Sequence, residues 1–341
     1  MSINLEQVQQ ELGTYIQDNP NILSSMVYET DITVNKYAKT LTKIKGEYPM
    51  IHSLMSHVVQ GFKSEWQQLG EANFRAKLLK SYKQKVNFGF KPSDVLGTWL
   101  AQLYVEGKDM ADHPISQHII DDLKKQVKID LDILSMEGVR DDANADGQFG
   151  KSLNGLLTLL QNGLASATDP MFSIPLDVAT SVNIMDVVES FETQLPIRHA
   201  KGKVFMSRPL ALMYKKAWRE QYGDNTDFSA NSAGRTPLLD LDIVVLPIPG
   251  HVIFSTVDGN LLRLIDIIDA PEITDIQKQD YLLKLFMEFT LNYDFAINQL
   301  VFVGNFDGAA VRGLGDTELN QIYFPEESWE VEEEEEEPVT P

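Results

Sequence analysis

The chain has 341 residues, a formal net charge of -21 at neutral pH, no cysteine and 43% hydrophobic residues. Missing cysteine excludes disulfides, thiolate catalysis and cysteine-ligated zinc, and the negative field opposes simple adsorption to nucleic acid or anionic lipid. Apolar material suffices for two or three cores, and no segment approaches the roughly 18 apolar residues of a membrane span.

The N-terminus lacks the basic and apolar regions of a secretory signal, so the chain reads as a soluble cytoplasmic product. Leu5, Val8, Leu12 and Ile16 share one helical face that Asn19-Pro20 ends, and polar residues follow as far as Gly46. This arm has no core of its own and needs a surface to lie on. Between Arg75 and Lys91 come six basic residues and no acidic one, with Val86, Phe88 and Phe90 alternating as in a strand. Arg75, Lys77, Lys80, Lys83 and Lys85 then suit a projecting hairpin that docks on the acidic surface of a neighbouring copy. A solvated strand pair, or a nucleic-acid platform with Tyr82, Phe88 and Phe90, are the other readings of the same residues. Under the docking reading, replacing Lys77, Lys80, Lys83 and Lys85 with Glu blocks assembly and leaves the monomer folded.

Asp112-His113-Pro114 opens the clearest helix, 114–137, about 36 Å long at 1.5 Å per residue. Ile115, Ile119, Leu123, Val127, Leu131 and Leu134 form its stripe, and Gly138 ends it. The segment after it, Asp141 to Leu153, carries three readings. Asp142, Asn144, Asp146 and Gly147 match the first half of a calcium loop, but the twelfth position is Leu153 where a bidentate carboxylate belongs. Ala145 with Gly150-Lys151-Ser152 is a relaxed phosphate loop without the buried strand that should precede it, which leaves a nucleotide hydrolase using Lys151 and Ser152 as a minor alternative. A glycine-rich turn is the preferred reading. His52, His57, His113, His118, His199 and His251 show no paired-ligand spacing, so no metal or cofactor is expected.

Residues 182–195 and 209–222 have helical spacing, and Lys203–Met206, Asp242–Leu246 and His251–Ser255 read as short strands. From Leu283 to Ile297 every second residue is apolar, with Phe286 the one break: a strand of roughly 50 Å, against about 17–20 Å for a usual one. Such length implies an elongated body whose edges are finished by other subunits. Nine glutamates and no basic residue lie between Glu326 and Pro341, the composition of a solvated tail.

The order of these parts resembles the major capsid protein of tailed bacteriophages, a shell-forming fold shared with encapsulins, and is similar to capsid proteins of phages that infect Bacteroidetes. The residues that carry the resemblance are Asp112-His113-Pro114, Gly138 with its glycine-rich turn, Ser152-Leu153-Asn154-Gly155-Leu156 and Val204-Phe205-Met206-Ser207 before Tyr214, Trp218 and Tyr222. Ile248-Pro249-Gly250, Gly259-Asn260-Leu261 and Ile273 to Gln277 before the long strand complete it. What the resemblance implies is an α+β capsid fold. It divides into an N-terminal arm (1–46), an extended loop (47–91), a peripheral domain (92–180 and 281–303) whose spine helix is 114–137, and an axial domain (181–280); the acidic tail (304–341) lies beyond the resemblance. It also implies a structural protein, not an enzyme, that self-assembles into pentamers and hexamers of an icosahedral virion shell. That shell encloses double-stranded DNA without specific binding, takes up portal, scaffolding and decoration proteins, and touches no membrane. An encapsulin-like compartment is the alternative. The 46-residue arm is too short to contain a scaffolding domain, so scaffolding is expected as a separate protein.

Overall fold

A computed structural model describes residues 5–18, 32–55, 58–70, 72–91, 115–145, 147–222, 234–266, 272–279 and 282–329. They form two compact units: Met1–Tyr48 with Leu78–Leu159 and Leu261–Asp294, and Pro49–Lys77 with Leu160–Asn260 and Phe295–Pro341.

In the first unit the alternating run forms β11 (Leu282–Phe295), 14 residues whose odd-numbered side chains from Leu283 to Phe295 are all buried. Alternation puts that set on one face, and covering it supplies the unit's hydrophobic driving force. β4 (Tyr82–Phe90) pairs antiparallel with β11, with Leu283 opposite Phe90 and Leu291 opposite Tyr82, and β10 (Glu272–Gln279) pairs with it from Glu272 opposite Glu288. β9 (Leu261–Leu264) also joins β11 and pairs in parallel with β1 (Lys39–Leu41).

The helix expected at 114–137 is α2 (Ile115–Glu137); its predicted capping residues 112–114 lie outside the described residues. Ile119, Leu123, Val127, Leu131 and Leu134 are buried, as the stripe requires. α1 (Leu5–Asp18) packs on α2, with Leu12 fully buried, so the arm helix has its surface within the chain. The Asp132 carboxylate accepts the Thr33 N–H (2.8 Å), and Tyr293 donates its hydroxyl proton to Asn35 Oδ1 (2.7 Å), so polar groups brought under the sheet stay paired. Burial raises the Tyr293 pKa.

α2 stops where two backbones cross. A Cβ on Gly138 would lie 2.6 Å from the carbonyl oxygens of Leu134 and Leu153, and one on Gly155 would lie 2.5 Å from Gly138 N. Only glycine permits that approach, which is closed by Gly155 N–H to Gly138 O (2.8 Å) and by the Thr158 hydroxyl to the same oxygen (2.7 Å). The chain then starts α3 (Leu156–Ala165).

The second unit is built on a five-stranded sheet. Its order is β5 (Phe172–Pro175), β12 (Val301–Asn305), β8 (Ile253–Thr256), β6 (Lys203–Ser207) and β7 (Ile243–Leu246), with the two outer pairs parallel and the two inner ones antiparallel. The strands expected at 242–246 and 251–255 start one and two residues later than those bounds, at Ile243 and Ile253. α4 (Ile184–Thr193) and α5 (Arg208–Tyr222) supply Val188, Phe191, Leu210 and Tyr214 to the core. Glu192, buried on α4, accepts the N–H groups of Leu238 (3.0 Å) and Leu239 (2.9 Å), so its charge is solvated by backbone donors.

Residues 304–329, placed by composition in a tail, are folded into this unit. Asp316 caps α6 (Thr317–Tyr323) by accepting the Glu318 N–H (2.8 Å), and Leu314, Leu319, Tyr323 and Phe324 are core residues. The acidic composition concealed these apolar anchors. Glu326 pairs with Arg198, and Glu327 pairs with Arg312 (2.9 Å).

Candidate inter-subunit surface

β2 (Glu47–Met55) and β3 (Ala72–Lys80) pair as a two-stranded ribbon. Its base is fastened to the second unit. Lys77 donates to Phe295 O (2.7 Å) and to Asn298 Oδ1 (2.8 Å), and Asn298 in turn donates to the Asp169 carboxylate (2.8 Å). His52 hydrogen-bonds Tyr323 (2.8 Å), and Leu54 packs on the core.

Beyond this base the ribbon is apolar and wet. Val59 is 89% exposed, Phe62 97% and Trp66 87%, and Ile51, Met55, Val58 and Phe74 are exposed as well. Scattered exposed apolar groups are ordinary, but with Tyr48, Leu69 and Leu78 there are ten among the described residues of one ribbon and its connecting loop, a density of the kind that marks a binding surface. Gln60 Nε2 donates to Gln67 O (2.6 Å) and so shapes the loop that carries Phe62 and Trp66. Charge drew attention to this region of the sequence. The other signal was the set Val58, Val59, Phe62, Trp66 and Leu69, which recurs at helical spacing although residues 58–70 form neither helix nor strand.

The five basic residues do not share one hairpin. Ser81 alone separates β3 from β4, and a hairpin needs at least two turn residues, so the chain bends and continues into the other sheet. The Ser81 N–H donates to Gly46 O (2.7 Å), and its hydroxyl donates to Ile44 O (3.1 Å), which holds the bend. Arg75 lies 5.9 Å from the Tyr323 ring centroid, Lys77 is bonded as described, and Lys80 pairs with Glu47 (3.1 Å), a hydrogen bond that raises the lysine pKa. Lys83 and Lys85 are on the exposed face of β4, opposite Thr290 and Glu288 of β11. The four lysines are therefore not equivalent. Lys77→Glu is expected to lower stability by about 2–4 kcal/mol, because a carboxylate would face two oxygen acceptors in a half-buried site, whereas Lys83→Glu with Lys85→Glu stays within about 1 kcal/mol. Urea titration followed by circular dichroism separates the two.

The loop after α2 holds its polar groups for itself. Arg140 pairs with Asp142, donates to Ser152 O (2.6 Å) and stacks 3.5 Å from the Tyr82 ring centroid. Asp141 accepts from the Asn144 side chain (2.9 Å) and from Ala143 N–H (3.1 Å), bonds that lower its pKa. Asp142 and Asn144 are thus committed to protein partners, and Asp146 lies outside the described residues. No group of three or more metal-ligating side chains occurs among the described residues. Lys151 and Ser152 follow a helix, not a strand; the Lys151 and Ser152 carbonyls accept bonds from Asp141 and Arg140, and α3 opens only at Leu156. A phosphate loop needs converging N–H groups at a helix start, and this turn does not place Lys151 and Ser152 there.

No family model and no curated protein matches the sequence. Solved structures match in shape. A chain of the satellite phage P4 procapsid is 11% identical, with 86% of this chain and 99% of that one covered at a TM-score of 0.50. A chain of the cyanophage A-1(L) capsid is also 11% identical, with 85% and 93% covered at 0.52. At that identity the likeness carries the fold: a mixed α+β phage capsid fold spanning both units. No described helix is long and apolar enough to cross a membrane.

Proposed function

We propose that this chain, folded like phage capsid proteins, is a structural shell subunit that associates with copies of itself through the ribbon of residues 47–80. The observation that carries the reading is the exposed set Val59, Phe62 and Trp66 on a subunit whose fold matches shell proteins over most of its length. Those side chains gain about 1.5–3 kcal/mol each when fully buried, and a neighbouring copy is the partner such a fold supplies. Lys83 and Lys85 on β4 form a secondary, electrostatic contact with an acidic neighbour. We assign the assembly as pentamers and hexamers of an icosahedral shell around double-stranded DNA, with separate portal, scaffolding and decoration proteins. A net charge of -21 then keeps the protein from adhering to packaged DNA, which is retained by confinement.

The test is expression of the full chain alone, followed by size-exclusion chromatography and negative-stain electron microscopy. Rings or closed shells are the expected products. Shells that contain protein cargo and no nucleic acid would favour the encapsulin-like alternative. A chain that remains monomeric up to its highest soluble concentration would overturn the assembly reading.

A further inference from the structure

The assembly reading leaves a part-buried titratable contact without a role. His52 on β2 has Nε2 2.8 Å from the Tyr323 hydroxyl on α6, joining residues 271 positions apart. His52 Nδ1 is shielded from solvent and has no hydrogen-bond partner. A neutral ring fits this site with its proton on Nε2, which donates to the hydroxyl oxygen and leaves Nδ1 bare. An imidazolium does not fit, because it places a charged N–H at Nδ1 with nothing to receive it. Burial pushes the Tyr323 pKa up to about 12, so the phenol stays protonated and provides no countercharge.

The surrounding charges come from two other elements. Arg75 on β3 lies over the Tyr323 ring and opposes a second cation. Asp169, just before β5, favours one, but its oxygens already accept from Asn298 (2.8 Å) and Gln299 (2.7 Å). Burial is the largest influence on the ring and lowers its pKa.

We propose that His52 is an acid-sensitive latch: on protonation the ring leaves Tyr323 and releases β2 from α6, loosening the base of the ribbon and the C-terminal segment together. A released histidine titrates near its ordinary value of about 6.5, and the held ring titrates lower. The latch is therefore fully present above that value and is lost as pH falls below it. Linkage bounds the size: from pH 7.5 to 5.5 the opening constant rises by at most about tenfold, the limit set by titration of the released ring. All the groups belong to one chain, so the proposal goes beyond the shell reading and stands or falls separately from it.

Hydrogen exchange on the full chain, corrected for intrinsic pH dependence, is the test. Protection of peptides covering 47–55 and 317–329 is expected to fall, by up to about tenfold, between pH 7.5 and 5.5, while 203–207 is unchanged. His52→Gln retains a donor for Tyr323 but cannot titrate, so its profile should be flat. Tyr323→Phe should already show the low protection at pH 7.5. An unchanged wild-type profile, an equal fall in His52→Gln, or a fall shared by 203–207 would each overturn the latch.

Discussion

Replacing Phe62 and Trp66 together by serine is expected to leave the chain folded and to abolish its self-association. At 97% and 87% exposure neither ring supports the isolated subunit, so the melting temperature should hold within the change expected of surface substitutions, about 0.5 kcal/mol. In an interface each ring contributes about 1.5–3 kcal/mol by burial, so losing both weakens every contact by about 3–6 kcal/mol, at least a hundredfold in affinity. Closed assemblies repeat the loss at every contact, which turns a weakened interface into no assembly under conditions where wild type forms rings or shells. Size-exclusion chromatography with light scattering reads the outcome. Assembly at wild-type concentration by the double variant would remove the ribbon from the interface and return the docking role to Lys83 and Lys85.

What was legible in the sequence follows from periodicity. α2 and β11 are long enough for their periods of 3.6 and 2 to be unambiguous, and each lies within two residues of its expected place. The short strands β7 and β8 shifted because four-residue elements have their ends set by pairing with β6, and that register is not written locally. Lys77 was misjudged for a related reason. Its acceptors are a carbonyl 218 residues away and the Asn298 side chain, and no local pattern marks a lysine whose charge is already committed. The apolar patch between Met55 and Phe74 was hidden by the opposite problem: Val58, Val59, Phe62, Trp66 and Leu69 recur at helical spacing, yet residues 58–70 form neither helix nor strand.

Ending the chain after Asn305 is expected to unfold the second unit, whereas ending it after Trp329 leaves its melting unchanged. Net negative charge made 304–341 look like one tail, yet its two halves obey different physics. In the first, the Phe324 ring centroid lies 4.9 Å from that of Phe172 and 6.0 Å from that of Phe302, at the centre of the core. Trp329 donates its ring N–H to Phe324 O (3.0 Å), and Arg312 donates to Gln194 O (3.1 Å) with its guanidinium 5.2 Å from the Trp329 ring centroid. Gly313 exchanges two backbone hydrogen bonds with Ser173 (2.8 and 2.9 Å), extending the sheet at β5. Phe324→Ala alone should cost about 3–5 kcal/mol, and losing the whole segment exceeds the 5–15 kcal/mol that typically holds a domain. The second half begins at Glu330 and carries seven of the nine glutamates; Trp329 is the last described residue packed on the core. Removing those charges relieves mutual repulsion without removing any described contact. Paired thermal melts of the two truncations decide the matter. An unaltered transition after removal of 306–341 would mean that the aromatic cluster is dispensable, and a lowered one after removal of 330–341 would mean that the glutamates stabilise the fold.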